Sequence, residues 1–243
     1  MTETVEQTAT GAILYDRQVI SNITEDRFIA SNWLHSEAIQ GRLGSGGRGN
    51  TMFVGNIPRQ FVLRHYIRGG LIGKLVRDKY LWTGAEASRP FREWRMLAKM
   101  SDNGLRVPRP AAARYVRSGP FYTADLITVR VPNVHALSTW IHERAGGEKF
   151  WCDLGDAIYQ FHAHGVYHAD MNAYNLQIDS GGKLWMLDFD RGKLLPAGAW
   201  QQQTLSRLHR SLRKIKLRDP KLHYDEQCWE MLLQGYFTAS RSA

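Results

Sequence analysis

One stretch of the sequence, VYHADMNAYNLQIDSGGKLWMLDFDRG (166–192), carries most of the residues that could do chemistry. His168, Asp170 and Asn175 stand at H-x-D-x-x-x-x-N spacing, and Asp188 follows after two short apolar runs. These runs, separated by Asp-Ser-Gly-Gly, predict a β-hairpin. Because a hairpin brings its two ends together, the sequence predicts that Asn175 and Asp188 lie close in space.

Two carboxylates and one amide at the exits of a hairpin fit phosphoryl transfer from a nucleotide. Asp170 would accept or orient the proton of the attacking hydroxyl, while Asn175 and Asp188 would hold Mg²⁺ on the phosphates. The alternative makes Asp170 a surface carboxylate and Asn175 a turn or capping residue. We expect His168 to be a buried residue that hydrogen-bonds the loop, and not a base.

The same string resembles the catalytic and metal loops of the protein-kinase-like superfamily, H-R-D-x-x-x-x-N and D-F-G. Ala169 replaces the Arg, as in the small-molecule branch of that superfamily, and Asp190 replaces the Gly. The Arg is the usual partner of an activation-loop phosphate, so its absence argues against that form of control. Asp190 leaves open whether Asp188 alone or both aspartates bind the metal.

Composition narrows the class and the partners of the protein. The 243 residues are 43% hydrophobic, which predicts a globular protein. The net charge of +9 predicts either an anionic partner or simply a basic, solvated surface. Cys152 and Cys228 have no metal-binding spacing and predict free thiols in a reducing compartment. The acidic N-terminus does not resemble a signal peptide, and no run reaches the ~18–20 apolar residues of a membrane span. We therefore expect a cytoplasmic protein whose membrane contact is peripheral.

A glycine-rich stretch precedes the predicted strand Thr51–Val54. Gly44, Gly46 and Gly49 fit G-x-G-x-x-G, and Thr51–Val54 reads as a strand rather than as the helix of a dinucleotide fold. This context predicts a loop between two strands, whose backbone N–H groups would cover the phosphates of a nucleotide. An ordinary glycine-rich hairpin is the alternative.

The next predicted strand, 61–66, carries the candidate phosphate-binding cation. Kinase-like proteins have a Lys on this strand, and Arg64 stands in that position here. Arg is not an equal substitute for Lys, so His65 and Arg68 remain alternatives. Glu93, on a predicted helix that begins at Arg89, takes the place of the glutamate that pairs with the cation in kinase-like proteins.

The remaining elements follow from hydrophobic periodicity and from turn residues. In the N-terminal half we expect a loose lead over 1–12, a strand over Ala12–Tyr15 and a short helix over Glu25–Ile39. A hinge is expected at Pro132–Asn133. The predicted strands before it are Ala111–Arg117 and Phe121–Val131, and the predicted helices after it are His135–Arg144, Lys149–His164, Gln201–Leu217 and Asp225–Phe237.

The blocks LRHYIRGGLIGKL (63–75) and HADMNAYN (168–175) extend the resemblance to a particular family. Together with FREWRMLAKM, GLRVPRP and LDFDRGK they resemble 3-deoxy-D-manno-octulosonic acid (Kdo) kinases of Gram-negative bacteria over roughly 41–193. The resemblance implies ATP- and Mg²⁺-dependent phosphorylation of the 4-OH of Kdo in the anionic glycolipid Kdo-lipid IVA. It also implies a peripheral location on the cytoplasmic side of the inner membrane, in lipopolysaccharide core biosynthesis.

The implied fold is α+β and bilobal, of the protein-kinase-like class. An N-lobe of antiparallel sheet plus helix, 1–131, would bind the nucleotide, and a mainly helical C-lobe, 132–243, would carry the catalytic and acceptor-binding residues. Two other functions remain: a kinase of another small molecule or of protein, and a non-catalytic basic binding module on a kinase fold. No base-reading module is recognised, so no nucleic acid partner is expected.

Overall fold

The chain divides into two compact units in a computed structural model. The first unit comprises Met1–Gly104 and Pro108–Val131, and the second comprises Leu105–Val107 and Pro132–Ala243. The residues that the structure describes are 1–38, 51–56, 59–67 and 78–242. No helix in these ranges combines the length and the apolar character needed to cross a membrane.

The first unit is built on an antiparallel sheet of eight strands. The strands are β1 (Glu3–Gln7), β2 (Gly11–Asp16), β3 (Ser36–Ala38), β4 (Thr51–Val54), β5 (Phe61–His65), β6 (Tyr80–Leu81), β7 (Pro110–Ser118) and β8 (Phe121–Val129). They lie in the order β1-β2-β7-β8-β5-β4-β3, and β6 also pairs with β8. The pairing of β3 with β4 agrees with the prediction that strands flank the glycine-rich stretch, which itself lies outside the described residues.

One α-helix, α1 (Arg89–Asp102), packs against β7 and β8 of this sheet. Pro90 occupies the first turn, where its missing N–H costs no hydrogen bond. Phe91, Trp94 and Leu97 recur at helical spacing and are 1%, 1% and 2% exposed. Burying side chains of this size stabilises the unit by about 1.5–3 kcal/mol each, and this fixes the helix that carries Glu93.

Two predictions for the N-terminal part are wrong. The expected loose lead contains β1, which pairs with β2 from Glu3↔Asp16 to Gln7↔Ala12. The expected helix over Glu25–Ile39 consists instead of two 3-10 turns, Glu25–Phe28 and Ala30–Asn32, followed by β3. In both places pairing with a strand elsewhere in the chain outweighs the local pattern.

The second unit holds five short strands and four helices within its described residues. The strands are β9 (Val134–Ala136), β10 (Val166–Tyr167), β11 (Leu176–Asp179), β12 (Leu184–Met186) and β13 (Lys193–Leu194), and the helices are α2 (Leu137–Glu143), α3 (Glu148–Ala163), α4 (Trp200–Arg218) and α5 (Glu226–Ser242). The predicted hairpin is confirmed as β11–β12, paired from Leu176↔Met186 to Ile178↔Leu184. β9 pairs with β11 on the other side, so the predicted helix from His135 begins at Leu137 instead.

Helices α3 and α5 approach closely through two glycines. A Cβ at Gly155 would overlap the carbonyl of Leu232, and one at Gly235 would overlap the carbonyl of Cys152. Larger residues at these positions would force the backbones apart. Contact at both glycines makes α5 the support of α3, the helix that leads into the stretch 166–192.

A buried histidine joins three of these helices. His162 of α3 lies 2.8 Å from the Tyr236 hydroxyl of α5 and 3.0 Å from the Thr204 hydroxyl of α4. Because the Thr204 hydroxyl donates to the carbonyl of Gln201, it accepts from Nε2–H of His162, and Nδ1 accepts from Tyr236. Burial lowers the pKa of His162 to about 4, so the ring is neutral near pH 7.

Candidate active site

Asp170 lies in a loop whose main chain is held from several sides. The Asp170 carbonyl accepts from Nδ2 of Asn175 at 2.8 Å and from Nδ2 of Asn172 at 3.1 Å. Oδ1 of Asn172 in turn accepts from the backbone N–H groups of Tyr174 and Asn175. The half-buried Asp170 carboxylate makes no hydrogen bond or ion pair with any residue that the structure describes. This carboxylate is therefore available to a hydroxyl of a bound molecule.

His168 is buried and uses both ring nitrogens on the loop, as predicted. Nε2–H donates to the Leu187 carbonyl at 2.8 Å, and Nδ1 accepts the backbone N–H of Asp170 at 3.1 Å. Burial lowers the pKa of His168 and outweighs the hydrogen bond to Leu187 and the charges of Asp188 and Asp170, which act in the opposite direction. With no lone pair left over, His168 positions Asp170 and does not act as a base.

Replacing His168 with Leu is expected to lower the free energy of unfolding by about 1–3 kcal/mol, because a buried carbonyl and a buried N–H lose their partner. Phosphoryl transfer should also slow, since Asp170 loses its support, but the shape of the pH–rate profile should stay unchanged. Urea denaturation and steady-state kinetics measure the two effects. His164→Leu is the control, because His164 is exposed. A shifted profile in His168→Leu would instead make His168 a titrating group of the reaction.

Asn175 presents a buried oxygen that fits a metal ligand. The side chain is 1% exposed, its Nδ2 is held by the Asp170 carbonyl, and its Oδ1 has no hydrogen-bond partner among the described residues. A buried amide oxygen without a partner is costly, and amide oxygens are good ligands for Mg²⁺. The donor set at this position therefore fits a hard cation such as Mg²⁺.

The hairpin brings Asp188 to the same end as Asn175. The backbone N–H of Leu187, the residue before Asp188, donates to the Asn175 carbonyl at 3.0 Å. Asp188 has φ of 67°, in the left-handed region that residues other than glycine rarely occupy. Such a conformation costs about 1–3 kcal/mol and persists where the surroundings or a function require it. The following Phe189 is buried beside the His168 ring, which anchors this turn.

Within the described part of the chain, His, Cys, Asp and Glu side chains form no cluster of three or more that could hold a metal ion. Magnesium on nucleotide phosphates needs fewer protein ligands, because it takes one or two side chains and completes its shell with phosphate oxygens and water. Asn175 and Asp188 together supply that number.

In the first unit, Arg64 of β5 is paired with Glu93 of α1. The Arg64 guanidinium forms an ion pair with the Glu93 carboxylate, whose side chain is 3% exposed. The Tyr66 hydroxyl donates to the same carboxylate at 2.6 Å, and the Arg64 guanidinium lies over the Tyr66 ring at 4.6 Å. Arg64 stands opposite Thr51 in the β4–β5 register, and Thr51 directly follows the glycine-rich stretch. The structure thus brings Arg64 and Glu93 together.

His65 and its neighbours form a second charged group in this unit. Nδ1 of His65 lies 2.7 Å from the Asp125 carboxylate, and Nε2 lies 3.4 Å from that of Asp78. Arg114 donates to Asp125 through Nε and Nη2 at 3.0 and 2.8 Å. The hydrogen bond to Asp125 is the main cause that raises the pKa of His65. These contacts make His65 a partner of Asp125, while the alternative Arg68 and the glycines Gly44, Gly46 and Gly49 lie outside the described residues.

This raised pKa predicts how stability depends on pH. Protonated His65 stabilises the folded state, so its contribution is fully present below the unfolded pKa of about 6.5 and is lost as pH rises through the raised value. We expect the unfolding free energy of the wild type to fall with rising pH relative to that of His65→Gln, measured in urea from pH 6 to 9. Parallel curves for the two proteins would contradict the assignment.

Three residues of the site have no counterpart in the sequence predictions, namely Asn172, Ser211 and Tyr66, whose hydroxyl donates to Glu93. Asn172 organises the loop through its amide, and the Ser211 hydroxyl of α4 accepts the backbone N–H of Ala173 at 3.3 Å. The preference of Asn for turns that its own side chain closes could have indicated Asn172. Nothing local indicates Ser211, because α4 begins well beyond the hairpin.

An antiparallel sheet unit with an Arg64–Glu93 ion pair, and a helical unit with Asp170, Asn175 and Asp188 around one hairpin, are the features expected of a protein-kinase-like phosphotransferase. Residues 35–236 match the model of the family described as "Lipopolysaccharide kinase (Kdo/WaaP) family", and the chain belongs to that family. The predicted α+β, kinase-like fold class is thereby confirmed.

Curated relatives extend over almost the whole chain. A 3-deoxy-D-manno-octulosonic acid kinase of Vibrio parahaemolyticus is 38% identical over 223 residues, which cover 92% of each chain. One of Stenotrophomonas maltophilia is 41% identical over 218 residues, or 89% of this chain and 85% of the relative. Among solved structures, the bifunctional kinase-methyltransferase WbdD is 14% identical with a TM-score of 0.48 over 86% of this chain and 47% of that one.

Proposed function

We propose that this protein transfers the γ-phosphoryl group of ATP to the 4-OH of the Kdo sugar of Kdo-lipid IVA, in lipopolysaccharide core biosynthesis. Membership of a lipopolysaccharide kinase family supports the reaction class, and relatives named Kdo kinases at about 40% identity support the acceptor. The observation that carries the proposal is that the Asp170 carboxylate has no partner among the described residues, while the backbone carbonyl of Asp170 accepts a hydrogen bond from Asn175.

In the proposed reaction, the oxygen of the sugar hydroxyl attacks the γ-phosphorus as the bond to the β-phosphate oxygen breaks. ADP leaves, and the hydroxyl proton passes to the Asp170 carboxylate. Hydrogen bonds with the side chains of His168, Asn172 and Asn175 hold the main chain of Asp170, so the carboxylate is positioned before the acceptor binds. Prior positioning of this kind removes part of the entropic cost of the reaction.

Asn175 and Asp188 are the proposed ligands of Mg²⁺, through Oδ1 of the amide and the carboxylate. When bound, the ion would neutralise charge on the phosphate oxygens of the nucleotide. Asn175 presents Oδ1 because its Nδ2 is fixed by the Asp170 carbonyl, so the same residue connects the acceptor side of the site to the metal side. ATP titration of an Asp190→Asn variant with and without Mg²⁺ decides whether Asp190 shares the role of Asp188.

Arg64 is the proposed phosphate ligand of the first unit, and Glu93 steers it. The buried Glu93 carboxylate fixes the guanidinium, and five N–H donors leave an Arg able to bind a phosphate as well as a carboxylate. Gly44, Gly46 and Gly49 are proposed to cover the phosphates through backbone N–H groups. In this assignment 1–131 is the nucleotide-binding lobe and 132–243 is the catalytic and acceptor-binding lobe.

A lipid-linked acceptor places the enzyme at a membrane, and we infer peripheral association with the cytoplasmic face of the inner membrane. The net charge of +9 favours contact with an anionic glycolipid and with anionic lipids around it. ATP is available on that face.

Mass spectrometry of Kdo-lipid IVA after incubation with the protein, ATP and Mg²⁺ tests the proposal. One added phosphate with the wild type, and none with Asp170→Asn, is the expected result. If the protein binds ATP but forms no product, the acceptor is another molecule. Loss of both ATP binding and product would favour a non-catalytic basic module, against which the presence of Asp170, Asn175 and Asp188 argues.

A further inference from the structure

Helix α4 carries an unusual charge distribution. Its 19 residues include six Lys or Arg and no Asp or Glu. Two of the six have structural partners, because Arg213 pairs with Glu226 of α5 and Lys216 donates to the carbonyls of Pro220 and Leu222. The other four are exposed and make no ion pair or hydrogen bond with a side chain in the described part of the molecule.

These four residues form one line along the helix, which we name the cationic stripe: Arg207, Arg210, Lys214 and Arg218. Their spacing of three, four and four residues puts them on one face over about 16 Å of helix. The opposite face is buried and consists of Leu205, Leu208 and Leu212. Leu217, which is 84% exposed, lies beside the last two cations.

The cationic stripe begins next to the catalytic loop. Ser211 of α4 accepts the backbone N–H of Ala173 at 3.3 Å, and Ala173 is three residues from Asp170. Arg207 precedes Ser211 by one helical turn, so it lies on the part of α4 that contacts this loop. The Arg207 end of the cationic stripe is therefore the end that lies next to the loop that carries Asp170.

We propose that the cationic stripe is the surface by which this protein rests on an anionic phospholipid bilayer. This inference rests on the proposed function, because an acceptor embedded in a bilayer must present its sugar to a catalytic residue close to the membrane. Cations with long apolar stems on one helix face, and an exposed leucine among them, suit the headgroup region of a bilayer.

The length of the cationic stripe favours a bilayer over a single small anion as its partner. A sugar carboxylate or one phosphate would occupy one or two of the four cations, whereas a line of about 16 Å matches an extended array of headgroups. The cationic stripe contains no aromatic residue on which a base could stack, which disfavours single-stranded nucleic acid.

The test is sedimentation of the protein, without ATP or acceptor, with vesicles of phosphatidylcholine alone or mixed with phosphatidylglycerol. The triple variant Arg210→Gln/Lys214→Gln/Arg218→Gln leaves Arg207 in place beside the catalytic loop. The matched control Arg92→Gln/Lys99→Gln/Arg241→Gln removes the same charge from exposed positions elsewhere. Kinase activity of all three proteins is also measured on Kdo-lipid IVA dispersed in a neutral detergent.

The wild type and the control should bind only the vesicles with phosphatidylglycerol, and salt should weaken that binding. Each cation near an anionic surface contributes roughly a fivefold factor, so the triple variant should partition about a hundredfold more weakly. Its activity on detergent-dispersed acceptor should stay within about twofold of the wild type, because the chemistry does not use these side chains.

Four results would overturn the proposal. Two concern vesicle binding in general: no binding of the wild type to anionic vesicles, or equal losses of binding in the triple variant and the control. The other two concern the triple variant: unchanged vesicle binding, or lost activity on dispersed acceptor with vesicle binding intact. The last result would assign the cationic stripe to the acceptor itself. Failure of the proposed function shows separately, as absence of phosphate on Kdo-lipid IVA whatever the vesicle result.

Discussion

Replacing Asp170 with Asn is expected to lower kcat for phosphoryl transfer by about 10²–10⁴, the usual contribution of a general base. The substitution keeps the size of the side chain and removes its ability to take the hydroxyl proton. The loop should survive, because His168, Asn172 and Asn175 hold the main chain of Asp170 rather than its carboxylate. Steady-state kinetics and a thermal melt measure the two properties, and the midpoint of the melt should stay near that of the wild type.

Asp156→Asn is the matched control for this experiment. Asp156 is an exposed carboxylate of α3 in the same unit, and its contact is a hydrogen bond from Gln160 on the same helix. This variant should keep wild-type kinetics. If the Asp170→Asn protein keeps more than about a tenth of the wild-type kcat, Asp170 is not the general base.

Asp188→Asn should abolish the Mg²⁺ dependence of ATP binding and reduce kcat/KM by at least about 10². Asn is the suitable replacement, because Asp188 has φ of 67° and Asn is one of the few residues that tolerate this region. The fold is therefore spared while one negatively charged ligand is lost. Calorimetric titration of ATP in Mg²⁺ and in EDTA measures the effect, and the wild type should show a large difference between the two conditions.

Asp190→Asn, titrated in the same way, decides between the two aspartates. A variant with wild-type Mg²⁺ dependence would leave Asp188 as the carboxylate ligand, and a comparable loss would make both residues ligands. An Asp188→Asn protein that binds Mg²⁺-ATP as the wild type does would exclude Asp188 and the site described for it.

The catalytic stretch could be predicted because its signals are local. The hairpin β11–β12 follows from two short apolar runs around Asp-Ser-Gly-Gly, and a hairpin must bring the ends of its strands together. The buried, loop-bonding role of His168 also follows from its position between the apolar strand β10 and Asp170. Helices α1, α3, α4 and α5 follow equally from the spacing of their apolar residues.

The rest depends on pairing partners that the local pattern does not reveal. The strand β1 is mostly polar and exposed, and it is a strand because it forms a ladder of hydrogen bonds with the neighbouring β2. The apolar residues of Glu25–Ile39 recur at helical spacing, yet Trp33 packs on Phe61 and β3 pairs with β4. The local sequence predicts neither the Ser211–Ala173 contact nor the hydrogen bond from Tyr66 to Glu93. Pairings of this kind appear only when the whole chain is folded.

The glycine contacts between α3 and α5 bear on the order in which this protein matures during translation. The first unit lies within residues 1–131, so all of its segments have been synthesised before most of the second unit exists. In the second unit the catalytic loop is synthesised before α5, but α3 cannot complete its packing until Gly235 and Tyr236 have left the ribosome. A nascent chain that already displays Asp170 and Asn175 therefore still has an incompletely packed second unit, because α3 lacks its contacts with α5.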